Sequence, residues 1–131
     1  MKRPSFIFAV LFALFSSSSS AFASSGSQTQ IACEIVNRWP SDFAVGWPLA
    51  IKKHNANPNT VSASGYMNQL VEIYKSAFKI SDKNSLNILN TYESYWVSLE
   101  RDYINNHGRL PSKPSSSKIL LPLQKYCSKF H

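Results

Sequence analysis

Apolar side chains recur along most of this chain at intervals of three and four residues, and no strand-like alternation runs longer than four. That spacing gathers them on one face of an α-helix, whereas a half-buried strand would alternate. Ile31, Ala32, Ile35, Val36 and Trp39 share a face of a first helix that begins at Gln30. Pro40 is expected to end it, because the residue before a proline is pushed out of the α region. Ser41 and Asp42 can cap a short second helix through Phe43, Ala44, Trp47, Ala50 and Ile51, with Gly46 and Pro48 as places for it to kink or break. After a polar loop at 54–60, Tyr66, Met67, Leu70, Val71, Tyr74, Ala77 and Phe78 line a third helix, with Ser62 or Ser64 as its cap. Leu86, Leu89, Tyr92, Trp96, Leu99 and Tyr103 line a longer helix, opened by Ser81 and Asp82 and stopped by Gly108 as the left-handed residue past its end. Residues 109–117 read as an extended, mobile Pro/Ser linker. Residues 119–121 read as an extended entry to a terminal helix with Pro122 in its first turn. The prediction is a single all-α domain over residues 30–131, a bundle of four to five helices.

The start of the chain changes what counts as domain. Met1-Lys2-Arg3 is basic, residues 6–15 (FIFAVLFALF) are apolar, and Ala21-Phe22-Ala23 has the small-residue form of a cleavage site. This is the pattern of a secretory signal peptide over 1–23, with an apolar run too short to cross a bilayer. Residues 24–29, small and polar, are expected to form a flexible N-terminus. Of the 131 residues, 14 are Lys or Arg and 7 are Asp or Glu, a net charge of +7. Losing Lys2 and Arg3 with the signal leaves +5. Such a chain is too short for a multidomain enzyme, and it lacks the composition of a fibre or a membrane-spanning protein.

Export gives the two cysteines a meaning. Cys33 and Cys127 allow one intramolecular bond, which an oxidising compartment favours and which would join the first and last helices. Closing so long a loop is worth about 4–5 kcal/mol in the chain-entropy model. The mature chain has no Asn-x-Ser/Thr acceptor, which points to a bacterial periplasm.

Catalytic chemistry has no signature here. None of Glu34, Asp42, Glu72, Asp82, Glu93, Glu100 and Asp102 forms an isolated pair in apolar surroundings, and Glu93, Glu100 and Arg101 read as a solvated helix face. His54, His107 and His131 have no metal-ligand spacing, and no phosphate-binding glycine loop or nucleophile motif occurs. The chain is therefore expected not to be an enzyme and to carry no metal or cofactor. What is out of proportion is aromatic: Trp39, Trp47, Trp96 and six tyrosines. Most must be core, but Trp47, Tyr95 and Trp96 are candidates for an exposed remainder that binds a partner. Lys75, Lys79 and Lys83, at four-residue steps, would form a stripe beside them, with Lys75 and Lys79 the candidate contacts for an anionic surface. Nucleic acid is disfavoured by the export signal.

Three short pieces, Cys33-Glu34, Ala44-Val45-Gly46-Trp47 and Tyr126-Cys127-Ser128-Lys129, resemble the small periplasmic acid-stress chaperones of the HdeA/HdeB type. The resemblance covers about thirty residues, counted on those motifs and their surroundings. It implies a compact all-α core closed by Cys33–Cys127, and an activity that depends on acid-driven loosening. The stretch between the second and third motifs, which holds the two best helices, departs from that family. The expected function is an exported, non-catalytic periplasmic binding protein of a chaperone-like kind, with a protein partner or client. The alternative is an inhibitor or immunity protein that blocks a single enzyme or toxin.

Overall fold

The computed structural model of the protein describes residues 25–130. Helix α1 (Ser25–Val36) leads into a short α2 (Trp39–Ser41), a π turn (Asp42–Gly46) and α3 (Trp47–Ala56). Helices α4 (Ala63–Ala77), α5 (Lys83–Asn105) and α6 (Ser117–Cys127) follow, and a 3-10 turn (Ser128–Phe130) closes the described chain. Among the described residues there is no strand, so the protein is all-α. The signal-peptide reading of 1–23 falls outside the described residues.

Helix α5 organises the bundle, with α1, α4 and α6 packed against it and α3 packed on α4. Its apolar row puts Ile88, Leu89, Tyr92, Tyr95, Trp96 and Leu99 inside. Helix α1 is buried nearly all round through Ile31, Ala32, Cys33, Ile35 and Val36, as a helix in the middle of a core must be. A disulfide joins Cys33 of α1 to Cys127 at the end of α6, with Cα atoms 5.0 Å apart and both residues fully buried. The first and last described α-helices are thereby fixed to each other within one core.

Several local expectations are corrected. The stretch expected to be flexible over 24–29 is helical from Ser25, because its polar side chains find partners inside the protein. Gln28 Oε1 accepts from the backbone N–H groups of Ser81 and Asp82 at 2.9 and 2.8 Å, and Thr29 shares a 3.2 Å hydroxyl bond with Ser85. Pro40 does not end the first helix, which stops at Val36; it occupies the first turn of α2, where a missing N–H is harmless. The break expected at Gly46 and Pro48 is a π turn, in which the Trp47 N–H reaches back to the Asp42 carbonyl and the helix continues. Gly46 packs closely there: a Cβ would stand 3.1 Å from Met67 Cε on α4, so the methionine would have to shift to admit one.

Residues 109–117 are not a free linker. The Ser115 hydroxyl and the Ser116 N–H donate to the Asp102 carboxylate at 2.7 and 3.0 Å, which ties the segment to α5. Residues 119–121 are helical, with Pro122 inside α6, because Leu120, Leu123 and Cys127 are drawn into the core at helical spacing. Pro122 itself faces outward, where water can satisfy the carbonyl its missing N–H leaves over. At the end of α5 Gly108 takes a positive φ (88) as expected, His107 before it does so too (φ 56), and the Gly108 N–H bonds to the Tyr103 carbonyl at 2.9 Å.

Candidate partner-binding surface

Trp47, Tyr95 and Trp96 are brought together, but inside the core. Trp47 stacks on Trp96 with ring centroids 5.7 Å apart, and Tyr95 meets Trp96 edge-on at 4.8 Å. All three are buried, so none presents a face to a partner, which corrects the expectation placed on them. The cause is the seating of the α2–α3 rings on those of α5, Trp47 on Trp96 and Trp39 against Tyr95, since rings of this size bury a large area. The tyrosine hydroxyls of this cluster are matched there. The Trp39 indole N–H donates to the Tyr95 hydroxyl at 2.8 Å, and the Tyr92 hydroxyl donates to Asp42 at 2.7 Å. Burial raises the Asp42 carboxyl despite Tyr92 and Arg38, and burial with the Trp39 bond opposing it leaves Tyr95 at about 12.

The lysine stripe also dissolves. Helix α4 ends at Ala77, and Lys79 takes the left-handed position past its end (φ 53) while the Ile80 N–H closes back on the Lys75 carbonyl. Lys75, Lys79 and Lys83 therefore do not lie on one helix. Lys75 is occupied: its ammonium donates to Glu72 at 2.6 Å, Asn90 at 2.7 Å and Glu93 at 3.3 Å. Glu93 is not a plain surface charge. Burial and then the neighbouring Glu72 raise its carboxyl to about 7, against the opposing pull of Lys75.

Glu100, expected on a solvated face, is buried and holds the start of α4. Its carboxylate accepts from the N–H groups of Ala63 and Ser64 at 3.0 Å each and from the Ser64 hydroxyl at 2.6 Å. Burial alone would raise this carboxyl; those bonds, with His54 nearby, bring it below the usual carboxylate range. Asp82 caps α5 by accepting from the Ser85 N–H and hydroxyl. The carboxylates are thus largely consumed by structure, and among the described residues no three His, Cys, Asp or Glu side chains are placed to share a metal ion. A cleft of about 450 Å³ opens between the end of α3 and the start of α4, lined by Lys53, Thr60, Val61, Ser62, Gly65, Tyr66 and Gln69. It contains no carboxylate, thiol or imidazole.

One surface left open to a partner is a row the helical spacing hid. Ala44, Val45, Pro48, Leu49 and Lys52 are exposed on the outer side of the π turn and α3, with Val45 63% and Leu49 46% accessible. Trp47 and Ala50 carry the inner side. The expectation of a single inward face through Ala44 failed because the π turn inserts a residue and shifts the register. Val45, Pro48 and Leu49 at three- and four-residue steps were the available signal, a second apolar row on the same helix. Compared with protein-family models, curated proteins and solved structures, the chain finds no match.

Proposed function

We propose that this is an exported, non-catalytic binding protein that holds one protein partner on the row Val45, Pro48 and Leu49, with Lys52 and Lys53 at its end. The observation that carries this reading is an exposed apolar row on the outer side of the π turn and α3, whose inner side holds Trp47 and Ala50 in the core. Apolar side chains held outside on a closed scaffold form a contact that needs little reordering on binding. That supports a dedicated inhibitor or immunity role, in which a fixed hot spot meets one enzyme or toxin in the periplasm. The test is affinity capture from a periplasmic extract with the protein and with the double variant Val45→Asp/Leu49→Asp. One stoichiometric partner, retained by the first and lost by the second at unchanged circular dichroism, is the expected result. Identical retention by both rejects this surface.

A chaperone-like stress role is the second reading, favoured by a different observation. Glu100 and Asp102 hold the starts of α4 and α6 through carboxylates whose protonation is pushed to lower pH. Strong acid would release both helix starts together and expose the aromatic core. Dye binding and suppression of client aggregation below about pH 4 would support it, and a tight fold at that pH would exclude it.

A further inference from the structure

We propose that the outer face of α6 and the turn after it dock on an anionic phospholipid surface. Lys118, Leu121, Pro122, Lys125, Tyr126 and Lys129, each three or four residues from another of the set, share one side and are all exposed, Leu121 at 61% and Tyr126 at 40%. Leu120, Leu123 and Cys127 take the opposite, buried side, so the lysine-bearing side is the one α6 turns outward. The chain has no Asp or Glu beyond Asp102, so nothing within this segment neutralises those lysines. Elsewhere Asp42, Asp82, Glu100 and Asp102 accept bonds from the protein's own groups. Among the described residues the ion pairs run through Lys75 alone. Most of the carboxylates are thus held by the protein's own groups, while the lysines of this face stand exposed.

The Asn84 amide donates to the Tyr126 hydroxyl at 3.4 Å, which brings the start of α5, with exposed Lys83, to the same end. The Lys129 ammonium stands 4.1 Å from the centre of the Tyr126 ring, so ring and charge are presented together. That combination suits the headgroup layer, where tyrosine rings sit at the interface and lysine stems reach phosphates. The face is the convex back of a helix, and the described cleft lies elsewhere, between α3 and α4. A flat, deformable, charged surface matches a convex ridge without needing a complementary groove. This surface is separate from the α3 row, and neither proposal depends on the other.

The test is co-sedimentation of the processed protein, purified from its native compartment, with vesicles containing one third phosphatidylglycerol in phosphatidylcholine. Pure phosphatidylcholine vesicles serve as the neutral comparison. A lysine near such a surface is worth about fivefold in partitioning, so Lys125→Ala/Lys129→Ala should weaken binding about 25-fold. Arg101→Ala/Arg109→Ala, at exposed positions outside both surfaces and with the same change in net charge, should weaken it by less than about threefold. A Leu121→Trp reporter should shift its emission to the blue on the anionic vesicles only, and high salt should reverse the shift. Equal losses in the two double variants, equal binding to neutral vesicles, or no binding at all would overturn the proposal. Retention on soluble polyglutamate without vesicle binding would overturn it in favour of an acidic protein.

Discussion

Replacing Glu100 with alanine should cost this protein about 3 kcal/mol at neutral pH. The side chain accepts two backbone N–H groups and a hydroxyl at 3.0, 3.0 and 2.6 Å, and it does so from within the core. Its removal strands the first-turn donors of α4, each worth about 1 kcal/mol at the low end of the range, since water can reach some of the vacated space. Glu100→Gln keeps one acceptor and should cost about half as much. Glu34→Ala, a change away from the core, should stay within about 0.5 kcal/mol. Urea unfolding followed by tryptophan fluorescence measures all three, because Trp47 and Trp96 are buried and change environment on unfolding. The pH dependence is the sharper arm. Burial raises the Glu100 carboxyl, but the Ser64 and Ala63 bonds and His54 carry it below the usual range, so the folded state binds this proton less tightly than the unfolded chain. The stabilisation is therefore complete above the unfolded pKa and fades as pH falls through the folded one. The gap between the protein and Glu100→Ala should shrink on acidification. A gap that is negligible at neutral pH, or that keeps its full size below about pH 3, would refute this account.

Opening the disulfide with Cys33→Ala/Cys127→Ala should lower stability by about 4–5 kcal/mol, since the bond spans a separation of 94 residues. Intact mass two hydrogens below the reduced value would establish the bond, and two titratable thiols would refute it. Glu93 should work in the opposite sense to Glu100. Burial and Glu72 raise it to about 7, so its contribution is complete at low pH and is lost as pH rises through that value. Stability should therefore rise on going from about pH 8 to about pH 6, and Glu93→Gln should flatten this trend. Gly65→Ala should cost about 1 kcal/mol, because the new Cβ would stand 2.5 Å from the Ser62 hydroxyl oxygen that caps α4; a thermal melt unchanged from the parent would contradict it. Lys79→Gly should raise the melting point, as Lys79 holds a left-handed backbone (φ 53) that glycine adopts without a side-chain penalty.

The helix faces and two of the helix caps could be read locally, while the places where proline and glycine interrupt the helices could not. The three- and four-residue spacing of Leu89, Tyr92, Trp96 and Leu99 requires a helix with those residues inside, and α5 has them inside. The caps Ser62 and Asp82 act on residues three positions away, within the reach of a local pattern. With two cysteines, one pairing was available, and it forms. The errors about individual side chains lie where the partner is distant in sequence. Glu100 looks like a solvated helix charge until Ser64, 36 residues earlier, is brought against it. Lys75 looks like a surface cation until Glu93, 18 residues later, arrives. Trp47 and Trp96 could have been core or contact, since periodicity identifies a face without saying what covers it. Helix formation is a short-range matter of spacing and caps, so the chain by itself determined an all-helical protein with its ends joined. Which apolar rows and which charges stay outside depends on how helices far apart in sequence cross. Only the tertiary structure could therefore turn Val45, Leu49 and the lysines of α6 outward while drawing the carboxylates in.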